Sequence, residues 1–174
     1  METFFKSSGE IGEKMKIIGF DCSTRLIAGF IISTDAFGLP EEGHLKYKTV
    51  ELAGKEADET TIRIDTMFKL VVAYIKKEKP DYVYIENAAY LQNIKTSFLI
   101  RTVVDAVRFA CVINNVPSQT VEITSWKKDV LGNGRAEKND IMQFAKAKYG
   151  DIIKNQDLAD AACIATYGQR RINS

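Results

Sequence analysis

Two short runs of mostly apolar, branched residues, KIIGFDC at 16–22 and LIAGFII at 26–32, are separated by only three residues. A connection that short joins antiparallel strands, because a parallel return needs a crossover of a dozen or more residues. A third run, DYVYIE at 81–86, has such a crossover ahead of it. Residues 58–77 place Ile62, Met67, Leu70, Val71, Tyr74 and Ile75 near the 3.6-residue period of a helix, and Pro80 closes the segment. The chain is thereby committed to a mixed sheet.

The remaining segments extend that frame. After the turn-forming TDAFGLPEEG, Leu45, Tyr47, Thr49 and Glu51 alternate with Lys46, Lys48, Val50 and Leu52 over residues 44–52, the pattern of a weaker edge strand. Residues 94–113 form a long, mostly apolar helix, and a short strand at 119–123 follows Pro117. Thr124 is placed to cap a helix over 125–130. GNG at 132–134 makes a turn, and helices follow at 137–149 and 157–167, the last with small residues along one side. The expected fold is α/β: a mixed five-stranded sheet, three antiparallel strands and then two parallel ones, with helices on both faces. With 174 residues there is room for one domain, over 16–174, preceded by a loose arm at 1–15.

Composition narrows the chemistry. Hydrophobic residues make up 45% and charged residues 27%, an ordinary globular balance, and no stretch of about 18 apolar residues predicts a membrane span. The first fourteen residues lack the apolar run of a signal peptide, and their acids disfavour a transit peptide, so an intracellular protein is expected. Cys22, Cys111 and Cys163 are odd in number and fit no metal-ligand spacing, which predicts three buried thiols and no disulfide. His44 is the sole histidine, so His-rich zinc sites and a Ser/His/Asp triad are disfavoured and carboxylates are left to carry the chemistry.

Four acids stand where such a fold gathers side chains: Asp21 near the end of the first strand, Glu86 at the end of the fourth, and Asp157 and Asp160 on the last helix. If strands one and four are neighbours, Asp21 and Glu86 stand on backbones about 4.8 Å apart. Three residues separate Asp157 from Asp160, so both can face one way. Any one of these acids alone reads as a solvated strand end or a helix N-terminal charge. Together in a half-buried site they would repel one another and call for a cation. Oxygen-only ligands suit Mg²⁺ or Mn²⁺, and two such ions about 3.5–4 Å apart serve phosphodiester hydrolysis. The alanines of ENAAY and DLADAACIA allow helix and sheet to approach closely enough for short carboxylates to meet.

In this order and spacing, IIGFDCSTRLIAGFII, PDYVYIEN, DVLGNGRAEKNDI and DLADAACIA resemble the RuvC family of Holliday-junction resolvases, of the ribonuclease H-like superfold, over about residues 16–167. The resemblance implies a homodimer, residing in a bacterial or phage-infected cytoplasm, that resolves four-way DNA junctions by paired symmetric nicks. It places Asp21, Glu86, Asp157 and Asp160 in a catalytic tetrad with two Mg²⁺ per site, Mn²⁺ being the alternative. Asp21 with Asp157 or Asp160 would then serve the ion that orients the attacking water, and Asp21 with Glu86 the ion that stabilises the leaving 3′ oxygen. Lys127 and Lys138 fall on the family's two lysines flanking its glycine loop, near the scissile phosphate or the junction backbone. Lys128 and Arg135 are added as DNA-binding candidates from spacing alone, and Lys127, Lys128 and Lys138 also read as solvated helix faces.

Two departures stand out. Cys22-Ser23 replaces the family's usual Pro-Gly after the first acid, and Ala89 stands where an aromatic stacks in the opened junction, with Tyr90 next to it as either the substitute or a plain core tyrosine. A nuclease of flaps or forks on the same fold is an alternative. An actin-like ATPase or sugar kinase is a rival that needs two such domains, and a DNA-binding module without chemistry leaves the four acids without a purpose. The formal charge of +1 does not exclude DNA: residues 91–174 carry 12 basic and 8 acidic residues, and setting the four candidate ligands aside raises the whole chain to +5.

Overall fold

The computed structural model describes residues 15–34, 48–53, 59–88 and 93–172. β1 (Met15–Cys22) and β2 (Leu26–Thr34) pair antiparallel through the short turn between them, and β3 (Lys48–Ala53) pairs antiparallel on the far side of β2. The chain then crosses over through α1 (Thr60–Glu78), so that β4 (Tyr82–Glu86) returns parallel to β1. A second crossover, α2 (Ile94–Ile113), brings β5 (Ser118–Val121) parallel to β4. The sheet order is β3-β2-β1-β4-β5, the expected mixed topology with β3 at an edge. Residues 44–47 of the expected third strand lie outside the described residues.

Period-two alternation divides the core. Ile18, Phe20 and Cys22 of β1 face α1 and α2 together with Val83 and Ile85 of β4. Ile17 and Tyr84 point the other way, into a second core with Trp126, Ile141 and the alanines of the last helix. That side is covered by α3 (Ile123–Leu131), α4 (Lys138–Tyr149) with a 3₁₀ turn at 150–152, and α5 (Gln156–Ile172). All three cysteines are buried and free.

Some boundaries differ from expectation for local reasons. α1 starts at Thr60, where Glu59 accepts from the Thr61 and Ile62 N–H groups. The residue ahead of α3 is Glu122 and not Thr124, which already lies within the helix, and Glu122 makes no side-chain capping bond. α5 starts at Gln156, behind Asn155, whose Oδ1 accepts from the Leu158 N–H at 2.9 Å, and it runs five residues past Tyr167 because Arg170 and Arg171 anchor its last turn to Asp129 of α3. Among the described residues no helix is long and apolar enough to cross a membrane.

The closest approach in the fold is at Gly19. A Cβ there would lie 2.3 Å from the Ala165 nitrogen and 2.4 Å from the Ala161 carbonyl oxygen, so α5 rests directly on the β1 backbone. The small residues of DLADAACIA supply the matching surface: Ala161, Ala162 and Ala165 are fully buried. Strand β1 and helix α5 therefore meet without intervening side chains, which sets the height of the acids that each carries.

Candidate functional site

Side-chain parity in β1 sends Asp21 to the same face as Ile17 and Gly19, the face covered by α5. In β4 it sends Glu86 to the same side as Tyr84. The parallel register pairs Phe20 with Ile85, so Asp21 and Glu86 come one residue later on adjacent strands. Asp157 and Asp160 lie in the first two turns of α5, the end of that helix beyond the Ala161 contact with Gly19.

Electrostatics ties the four into one group. Burial raises the Asp21 carboxyl well above the ordinary range, and the charges of Glu86, Asp160 and Asp157 raise it further. Burial pushes Glu86 up to about 7, with Asp160 adding to the rise while the Trp126 hydrogen bond and Lys127 oppose it. Asp160 is pushed up to about 6, mainly by burial and also by Asp157, against the pull of Gln156, Lys127 and Lys138. None of the four acids forms an ion pair among the described residues. A set of half-buried carboxylates whose mutual repulsion falls on Asp21, Glu86 and Asp160, with no ion pair among the described residues, is suited to a divalent ion bound through oxygen.

No three His, Cys, Asp or Glu side chains among the described residues converge as an assembled metal cage. Two of the four acids are engaged by neutral donors: Trp126 Nε1 donates to Glu86 Oε2 at 2.9 Å, and Gln156 Nε2 donates to Asp160 Oδ1 at 3.1 Å. The oxygen-only chemistry of the group fits Mg²⁺ or Mn²⁺ and not zinc.

The expected cations divide in two. Lys127 and Lys138 both act on Asp160, and Lys127 also acts on Glu86, which puts them at this site. The Lys127 ammonium donates to the Ala136 carbonyl at 2.9 Å, pinning α3 to the segment after the glycine turn. Gly132, with φ of 75°, makes that turn possible as the left-handed residue ending α3. Lys128 and Arg135 are exposed and show no coupling to the four acids. Tyr90 and Ala89 lie outside the described residues.

Several residues that shape the site were not singled out from the sequence. Trp126 and Gln156 hold two of the acids. Arg63, almost fully buried on α1, donates from Nε to the Thr24 carbonyl at 2.9 Å and so ties down the turn after Asp21. Ser23, already marked in the sequence as half of the pair replacing Pro-Gly, closes that turn, its Oγ donating to the Leu26 carbonyl and accepting from the Leu26 N–H. Asn155 joins the start of α5 to the edge strand by donating to Glu51 at 2.6 Å. The lone tryptophan directly before Lys127 was the one visible signal among these, since a buried indole N–H seeks an acceptor.

Comparison with known proteins bears on the family and the fold. The family described as Crossover junction endodeoxyribonuclease RuvC matches residues 17–167. A protein of that name from Fusobacterium nucleatum subsp. nucleatum is 27% identical over 156 residues, covering 86% of this chain and 77% of the relative. Another of that name from Caldanaerobacter subterraneus subsp. tengcongensis is 28% identical, covering 87% of this chain and 90% of the relative. Among solved structures, Thermus thermophilus RuvC in complex with Holliday junction substrate superposes with a TM-score of 0.75 at 17% identity, over 91% of this chain and 95% of that one.

Proposed function

The chain belongs to the RuvC family of crossover junction endodeoxyribonucleases, and on that premise we propose that Asp21, Glu86, Asp157 and Asp160 are its catalytic metal ligands. The activity is resolution of four-way DNA junctions, and like its family the enzyme depends on divalent metal. The observation that carries the assignment of residues is the condition of Asp21: half-buried, pressed by three other carboxylates and without an ion pair among the described residues. The finer identity of the metal is Mg²⁺, two per site, with Mn²⁺ as the alternative.

Bound divalent ions supply the Lewis acidity that phosphodiester hydrolysis requires. Asp21 is the central ligand, with Glu86 to one side on β4 and the α5 pair above. Lys127 and Lys138 offset the charge that develops on the phosphate. Lys128 and Arg135 extend the basic surface along the DNA arms, and Tyr90 stacks on an unpaired base at the crossover. Residues 16–174 work as one domain, in the cytoplasm.

A homodimer completes the reading, since two symmetric nicks call for two sites. Its surface is the outer side of α2, where Ile94, Phe98, Phe109 and Val112 recur at helical spacing and are 64–69% exposed. Antiparallel pairing of two copies of α2 about its middle would bring Arg101 of one copy close to Asp105 of the other. The test is cleavage of synthetic four-way junctions, flaps and linear duplex, with Mg²⁺ and with chelator. Paired symmetric nicks on the junction alone, lost with chelator, are expected, and equal cutting of flaps would overturn the junction reading.

A further inference from the structure

We infer that Trp126 is a positioning residue for the metal site, holding Glu86 through its indole N–H. This rests on the assignment of Glu86 as a ligand. Trp126 is 1% exposed and lies on α3, the helix that also carries Lys127. Its Nε1 donates to Glu86 Oε2 at 2.9 Å across 40 residues of sequence. That is the one hydrogen bond to the Glu86 carboxylate among the described residues, and none of them donates to the second oxygen.

The geometry gives the contact a purpose. A glutamate has three side-chain torsions, and Glu86 stands at the end of β4 beside other negative charges, where repulsion favours its turning away. The indole cannot turn to follow it, because the ring is locked in the core with Ile141 and Leu158. One carboxylate oxygen is thereby anchored to a rigid donor, and the other keeps a fixed direction. Partners of this kind, which orient a ligand without touching the metal, are worth about 10–100-fold in metal affinity or activity. The Lys127 ammonium lies 5.7 Å from the same ring, so the indole joins the ligand and a phosphate-facing cation in one unit.

Trp126 is also the only tryptophan in the chain, which makes the site self-reporting. Mn²⁺ binding in the native protein should change indole emission, and Glu86→Gln should remove that change. Calorimetric titration of Mn²⁺ then separates the possibilities. Trp126→Phe, which keeps an aromatic ring and loses the N–H, should weaken Mn²⁺ binding about tenfold or more, while binding of junction DNA in chelator stays at the native value. Val130→Ala, a core truncation on the same helix, controls for lost stability and should leave the Mn²⁺ midpoint in place. An unchanged or tighter Mn²⁺ midpoint in Trp126→Phe, with Glu86→Gln defective, would overturn the positioning role. Native Mn²⁺ binding by Glu86→Gln would instead overturn the assignment of Glu86 as a ligand.

Discussion

Replacing Gly19 by alanine is the most informative single perturbation of the scaffold, because it acts on the site without touching any of its side chains. The new methyl lies 2.3 Å from the Ala165 nitrogen and 2.4 Å from the Ala161 oxygen, the two ends of one i→i+4 hydrogen bond in α5. Ordinary contact begins near 3.4 Å, so strand and helix must separate by about 1.1 Å. Overpacking of a core costs about 1–3 kcal/mol, and the upper end applies here because backbone, not a side-chain tip, has to move. At about 2–4 °C per kcal/mol for a chain of this size, the melting temperature should fall by roughly 6–12 °C. The same displacement lifts Asp157 and Asp160 away from Asp21, two residues along from Gly19. A misplacement of about 1 Å is worth about 100-fold in rate. Junction cleavage, measured well below the lowered melting point so that the variant is fully folded, should therefore drop about 100-fold. A Gly19→Ala protein that melts within about 1 °C of native and cuts at the native rate would refute the argument that this contact sets the spacing of the acids.

Four further outcomes follow from the same geometry. Because Asp21, Glu86 and Asp160 hold protons more tightly in the folded chain than in the unfolded one, the metal-free protein should lose stability as pH rises from about 4 to about 7. Added Mg²⁺ should raise the melting temperature more at pH about 8 than at about 5, and scanning calorimetry with and without chelator reads both effects. Phe98→Glu combined with Phe109→Glu should convert a dimer to a monomer in sedimentation at micromolar concentration without lowering the melting point, since both rings are more than 60% exposed. Replacing Lys128 or Arg135 by alanine should weaken junction binding and flatten its dependence on salt by about one unit of log–log slope per lost phosphate contact.

The sheet was legible because its connections leave few choices. A three-residue link forces β1 and β2 antiparallel, and helical crossovers force β4 and β5 parallel; that β1 and β4 are neighbours, which brings Asp21 beside Glu86, was a condition the sequence left open and the sheet order meets. The alanines of α5 announced a close approach, and Gly19 is where it occurs. What escaped the sequence were long-range side-chain bonds. Trp126 reaches Glu86 from 40 residues away, Arg63 reaches Thr24 from 39 and Asn155 reaches Glu51 from 104, distances over which no periodicity carries a signal. Cap positions were missed for a different reason: Thr124 has the side chain of a cap, but the backbone ahead of α3 turns helical one residue before it.

The central claim is that four acids on three elements form one metal-dependent catalytic centre. Asp21→Asn, Glu86→Gln, Asp157→Asn and Asp160→Asn should each leave junction binding in chelator intact and abolish cleavage in Mg²⁺, because each removes a ligand and leaves the basic surface in place. The decisive measurement is cleavage by Asp160→Asn on a synthetic four-way junction, with binding of the same junction followed in parallel. Native binding with no nicks is the predicted result, and nicking at the native rate in Mg²⁺ would contradict the account.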